Sequence, residues 1–339
     1  MIWLTWRQYR VQALVVTAIV VAFAAVLLCT GPQLARLADE SGNSFLAQAS
    51  VGGTDPTVYR VGIGLLYLLP GAVGLFWGAP LVARELEAST YRLTWSQSVT
   101  RTRWLAVKLG VSALAAAVLA GIVGVGFTWW ASPIDTDLDK GLTAGAFSMP
   151  RLSPLVFGAH GIVPVGYAVF ALALGVAVGL VLRRSIPAMA VTLVLLAAAQ
   201  VGTPLWVRPH LIEPVRYTTT ITAANLGRIV AQPGGRVIDL EVRVHRPGDW
   251  ILANETVDAS GHAVATLPHW VIQCGPPPPG QPDRHQACFA RLRRLGYRQR
   301  VSYQPASRFW SLQWREAGGY LVIAAALAGF CLWRIRRIR

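Results

Sequence analysis

The stretch RELEASTYRLTWSQSVTRTRWLAVK, residues Arg84 to Lys108, decides how the rest of the chain is read. It lies between two long apolar runs and carries five basic residues. The run before it, Val61–Ala83, has no charged side chain in 23 positions, and the run after it, Leu109–Trp130, has none in 22. Wound as a helix at about 1.5 Å per residue, each is long enough to cross a hydrocarbon core of roughly 30 Å. The polar stretch is therefore expected to join two membrane helices on one side of a bilayer.

Composition extends that reading to the whole chain. Of 339 residues, 54% are hydrophobic and only 14% charged, where soluble proteins carry about a quarter charged residues. The apolar excess falls in blocks: Val11–Thr30, Val61–Ala83, Leu109–Trp130, Leu155–Leu182, Ile186–Val207 and the shorter Gly318–Trp333. In lipid every backbone amide must be satisfied within its own segment, so these blocks are expected to be six helices, with Pro70, Pro80, Pro164 and Pro204 as kinks. The first block lacks a small-residue cleavage pattern and is expected to stay as an anchor. Lys and Arg then set the orientation. With the N-terminus in the cytoplasm, Arg7, Arg10, the five basic residues of the polar stretch, Arg183, Arg184, Arg334, Arg336, Arg337 and Arg339 share that side. The opposite loops, Gly31–Arg60 and Ala131–Pro154, hold only Arg36, Arg60, Lys140 and Arg151 against six acidic residues. This is the positive-inside bias, and it predicts both termini in the cytoplasm.

The predicted fold is an all-α polytopic membrane protein of six transmembrane helices, with a strand-rich α+β extracytoplasmic domain between helices five and six. Its expected parts are residues 1–206, 207–316 and 317–339. Cys274 and Cys288 bracket the loop CGPPPPGQPDRHQAC; in an oxidising compartment they are expected to pair, contributing about 3 kcal/mol. Cys29 and Cys331 are expected to be buried thiols. Alternating or β-rich segments at 217–222, 237–244, 250–252, 270–273 and 298–303 predict strands, with a short helix over 289–295. Ser307 is expected to cap a helix whose Phe309, Trp310, Leu312 and Trp314 suit a membrane interface. The region holds 14 basic and 8 acidic residues, but His210, His245, His262, His269 and His285 are scattered without metal-ligand spacing.

A transporter needs a driving force, and the usual marks are missing. None of the six blocks has an Asp, Glu, Lys or Arg in its interior, and His160 is the nearest ionisable group, so an ion relay has no support. The only lysines, Lys108 and Lys140, stand in no Gly-Lys-Ser/Thr context, so no phosphate-cradling loop is present. A partner must supply the drive, and residues 84–108 are where a cytoplasmic partner would push.

Glu87-Ala-Ser-Thr90, Leu93, Ser98-Val-Thr-Arg101 and Lys108-Leu-Gly resemble the loop between spans two and three of ATP-binding-cassette permeases of the ABC-2 type. Ser89 stands where that family usually has Gly, and Ser96-Gln97 near its usual Pro. MIWLTWRQYR, LLPGAVGLFWGAPLVARELE and YQPASRFWSLQW look like an actinobacterial branch of such permeases. The resemblance implies an export permease, itself without enzymatic activity or cofactor. It would pair with a cytoplasmic ATPase subunit that binds the ATP and with a second permease copy or paralogue, in the plasma membrane among its lipids, with no nucleic-acid partner. It also implies that the 84–108 loop is a coupling element, with Glu87, Thr90, Arg92 and Arg101 as contacts and Tyr91 and Trp95 on one helical face. Trp3, Trp6, Arg7, Tyr9 and Arg10 read as an interfacial helix. Gly74-x-x-x-Gly78 and Gly175-x-x-x-Gly179 read as close helix packing, within the chain or at a dimer seam. The competing reading is a membrane-anchored envelope sensor or assembly factor acting through its outer domain.

Overall fold

The computed structural model describes residues 2–87, 100–232, 237–275 and 285–337, with the side chains of 2–13 and 285 excepted. It contains two compact units, Met1–Leu211 with Ser307–Arg339, and Ile212–Ala306. Among its described residues six helical stretches are long and apolar enough to cross a membrane: Leu14–Val51, Thr54–Glu87, Arg101–Asp139, Val163–Leu182, Ser185–Leu211 and Ala306–Arg336, here the first to sixth spans.

Most spans run well past their apolar blocks. Gly31–Arg60, expected as a loop, is helical almost throughout: one helix covers Ile2–Ser41, Phe45–Val51 adds two turns, and the second span begins at Thr54. Gly53, at φ 69°, makes the reversal that a side chain would resist. The fourth span is shorter than expected. It starts at Val163, and Pro154–Phe157 forms a separate turn. Pro164 thus sits in a first helical turn, where its missing N–H costs nothing, and does not act as a kink. Pro80 and Pro204 are absorbed by π-helical segments, Val73–Gly78 and Thr203–Val207. There the ladder skips a residue, as Ala79 N–H donates to the Gly74 carbonyl at 2.9 Å.

The fourth span is the hub, packed against the second, third, fifth and sixth. A Cβ on Gly175 would lie 2.4 Å from the Gly74 carbonyl, one on Gly179 2.4 Å from that of Ala79, and one on Gly78 2.7 Å from that of Leu172. The two small-residue motifs therefore pack on each other inside one chain. The first, third, fifth and sixth spans leave most of their apolar surface uncovered. On the sixth, exposed Trp314 and Trp333 are about 28 Å apart along the axis, the spacing of two interfacial girdles. Cys29 is exposed on this surface, contrary to expectation, while Cys331 is buried. Ser307 does not cap the last helix. It lies in a 3₁₀ turn, Ala306–Arg308, and the helix Phe309–Arg336 opens with Arg308 at the cap position and no side-chain cap.

In the second unit β1 (Val215–Thr220), β5 (Arg298–Gln304) and β4 (Trp250–Val257) form an antiparallel sheet in that order. β2 (Leu226–Ala231) pairs with β3 (Val237–Val242). β2 lacks a clean alternation, and the sequence pattern predicts no strand there. Residues 270–273, expected as a strand, belong to a 3₁₀ helix, His269–Cys274. Its last residue is disulfide-bonded to Cys288 on the helix His285–Arg294, with 5.4 Å between Cα atoms. The polar core is paired: Gln299 Nε2 donates to Leu240 O at 2.7 Å and to Asn254 Oδ1 at 2.8 Å, while Asn254 Nδ2 donates to Val242 O at 2.8 Å.

Candidate functional site

Ionic contacts gather at both ends of the helix bundle. At one end the second span closes through the helix Pro80–Glu87, with Leu81, Val82 and Ala83 buried and Arg84 exposed. The third span opens after Thr100, whose Oγ1 accepts from Arg103 N–H at 3.4 Å. Arg101, half-buried, occupies its first position. Leu81, Val82, Trp104, Leu105, Leu109, Val176, Ala177, Leu180, Cys331 and Ile335 make one apolar cluster, so spans two, three, four and six converge here.

Two acidic side chains tie the end of the second span to its neighbours. Glu85 Oε1 meets Lys108 Nζ at 2.5 Å, and their side chains are only 13% and 6% exposed. Lys108 also lies 4.5 Å over the Trp104 ring, one turn back. The other Glu85 oxygen, Oε2, is buried without a hydrogen bond. Glu87 reaches the fifth span, where its Oε2 accepts from the Ser185 backbone N–H at 3.1 Å and from Ser185 Oγ at 2.9 Å. Ser185 is the first residue of the helix Ser185–Gly202. A carboxylate there satisfies an orphan N–H and opposes the positive end of the helix dipole. The turn before it is made by Arg183, the one non-glycine residue with positive φ among those described. Of the residues assigned to coupling, the structure thus places Glu87 and Arg101. Thr90, Tyr91, Arg92 and Trp95 lie outside the described residues, as do the side chains of the N-terminal aromatic and basic cluster.

The opposite end holds a network that the apolar blocks did not reveal. Arg208, in the last turn of the fifth span, donates from Nε to Glu316 Oε2 at 2.7 Å and from Nη2 to Oε1 at 3.0 Å. Tyr167 OH donates to Glu316 Oε1 at 2.6 Å. Arg208 Nη1 reaches the Pro154 carbonyl at 3.2 Å, and the guanidinium sits 4.2 Å over Phe157. Neither charged side chain is more than 1% exposed. Nearby, Gln313 Oε1 accepts from Ile162 and Val163 N–H at 3.1 and 3.0 Å and caps the fourth span from the sixth. Asp135 and His160 face each other at 3.3 Å, both buried. The absence of charge from the apolar blocks therefore does not extend to the helices, which continue far enough to enclose Arg208, Glu316 and Asp135. The available signal was a charge within one turn of an apolar block, Arg208 in LWVRPHL and Glu316 beside Arg315 in QWREAGG.

Glu85, Glu87 and Arg208–Glu316 each bond one span of the bundle to another. Among the described residues no His, Cys, Asp and Glu group has metal-binding geometry. Asp258, Ser260 and His262 look triad-like, with Ser260 Oγ 2.8 Å from His262 Nδ1, yet Ser260 O–H donates its hydrogen bond to Asp258 Oδ1 at 2.5 Å in an exposed turn. The Ser260 side chain and the His262 N–H hold the Asp258 carboxyl below its usual range, as in an Asx-type turn. A groove of about 330 Å³ between the third, fourth and sixth spans is lined by apolar side chains, among them Ala113, Leu172, Ala324 and Ala328.

The family model described as ABC-2 membrane transporter related matches residues 17–208, from within the first span to the last turn of the fifth. Comparison with curated proteins and with solved structures gave no match.

Proposed function

The chain belongs to the ABC-2 membrane transporter related family, and on that footing we propose that this multi-pass membrane protein is the permease subunit of an ATP-driven exporter. In this reading both termini and residues 84–108 are cytoplasmic, and the 212–306 unit lies on the far side of the plasma membrane. A separate ATPase subunit binds ATP and closes, moving the 84–108 segment. The bundle, paired with a second permease copy or paralogue, then rocks between inward and outward access. Glu87, Thr90, Tyr91, Arg92, Trp95 and Arg101 form the cytoplasmic coupling element. The observation that carries this reading is that the last turn of the second span is bonded to the third span through Glu85 and to the fifth through Glu87. A push delivered there has a direct route into the helices. The basic residues clustered at this end agree with a cytoplasmic face.

The test is purification from the native host in mild detergent, followed by mass spectrometry. An ATPase subunit retained near one per permease, and lost in Arg92→Ala and Arg101→Ala, is the expected result. Envelope proteins in place of an ATPase would favour a sensor or assembly factor acting through residues 212–306.

A further inference from the structure

We infer that Glu87 is a transmission point and not an ATPase contact: its carboxylate carries movement of the coupling element into the fifth span by serving as that helix's N-terminal cap. The inference rests on the coupling reading above and assigns one of its residues a different role.

The geometry behind it is specific. A helix usually draws its first cap from the residue just before it, most often Ser, Thr, Asp or Asn. The fifth span has Arg184 in that position, whose side chain has no oxygen to offer, and no side-chain cap is made there. The missing acceptor comes from another helix, 98 residues away in sequence, as Glu87 Oε2 takes both the backbone N–H and the hydroxyl of Ser185. That oxygen is turned toward the fifth span. The turn between spans four and five is only Arg183-Arg184, held by a left-handed residue at φ 56°, so the start of the fifth span has little slack of its own.

The mechanical setting supports a transmitting role. Glu87 is separated by one turn from buried Leu81, Val82 and Ala83, and a Cβ on Gly179 of the fourth span would strike the Ala79 carbonyl. The end of the second span is thus packed tightly on the fourth while being bonded to the third through Glu85–Lys108 and to the fifth through Glu87–Ser185. Displacement of this turn must either carry Ser185 along or break two hydrogen bonds.

The test uses the intact complex purified with its ATPase. Spin labels on Ile186→Cys and Leu155→Cys, both surface positions at opposite ends of the bundle, in a Cys29→Ser background, report the start of the fifth span with and without vanadate-trapped nucleotide. The unsubstituted pair is expected to shift on trapping. Glu87→Ala should keep the ATPase bound and hydrolysing but abolish the shift. Glu87→Gln, which retains an oxygen acceptor, should restore part of it, and Ser185→Ala added to Glu87→Ala should change nothing more. Loss of the ATPase from Glu87→Ala would make Glu87 a contact and overturn the inference, leaving the permease assignment intact. An undiminished shift in Glu87→Ala would also overturn it. If the unsubstituted protein retains no ATPase, the coupling reading itself falls, and this role with it.

Discussion

At the Glu316 end of the bundle, one carboxylate receives two guanidinium N–H groups and a tyrosine hydroxyl, and the guanidinium spends a further donor on a carbonyl. At the Glu87 end, Glu85 gives Lys108 a single oxygen and leaves the other buried and unpaired, while the Glu87 carboxylate is exposed and holds one helix start. A fully satisfied buried network fixes one arrangement, because any change strands a charge. A partly satisfied one has less to lose. The difference separates the two sites: the Arg208–Glu316–Tyr167 network holds spans four, five and six in register, although Asp135 Oδ1 and His160 Nε2 near it are buried without a hydrogen bond, while the Glu85 and Glu87 contacts fix their end less tightly.

The comparison breaks if the two ends cost the same to disrupt. Glu316→Gln strands the Arg208 guanidinium in a closed site and is expected to cost about 3–5 kcal/mol, read from denaturant unfolding in detergent. Replacing both partners, Arg208→Met with Glu316→Leu, removes the stranded charge and should recover most of that loss. Lys108→Met should cost less, about 1.5–3 kcal/mol, because it removes one charged hydrogen bond and the Glu85 side chain is 13% exposed where that of Glu316 is 1%. A Lys108→Met loss as large as that of Glu316→Gln would erase the distinction. Gly175 lies between the two ends, where the second and fourth spans touch. Gly175→Ala pushes a methyl group into the Gly74 carbonyl and is expected to cost about 1–3 kcal/mol. A neutral result would show that the second span can slide on the fourth, which sharpens the picture of the less tightly fixed end.

How much of this was legible in the sequence depended on what kind of signal each part leaves. Six spans follow from uncharged runs alone, because lipid leaves a helix no alternative. Their true lengths do not, since the ends of the helices carry charges, such as Asp135 and Arg208, that hydropathy counts against them and burial forgives. The pairing of Gly74 and Gly78 with Gly175 and Gly179 was readable as motifs, but not which motif met which. Glu87 was singled out through its resemblance to a family loop, yet its partner Ser185 was invisible, because a cap supplied from another helix leaves no local pattern at either residue. In the second unit, β3 showed its alternation through Leu240, Val242 and Val244 set against Asp239, Glu241 and Arg243, whereas β2 is irregular in both pattern and register. Trp270–Gln273 has strand-forming side chains, but the chain turns there into a 3₁₀ helix that ends at the bonded Cys274.

The smallest expected effect bears most directly on the softer end. Removing an exposed helix cap such as Glu87 is the mildest of these changes. Global unfolding of a six-span bundle would hardly register so small a change. Local opening would, because the amides of the first turn exchange through fraying of the helix start. Hydrogen exchange measured on Glu87→Ala should therefore quicken about fivefold at the amides of Ser185, Ile186 and Ala188, with the start of the third span unchanged. If protection falls equally at residues 101–105, then Glu85 and Glu87 act as one unit, and the second span hands its movement to the third and fifth together. If protection at 185–188 is untouched, the fifth span starts without help from the second, and the softness of this end lies in the Glu85–Lys108 contact alone.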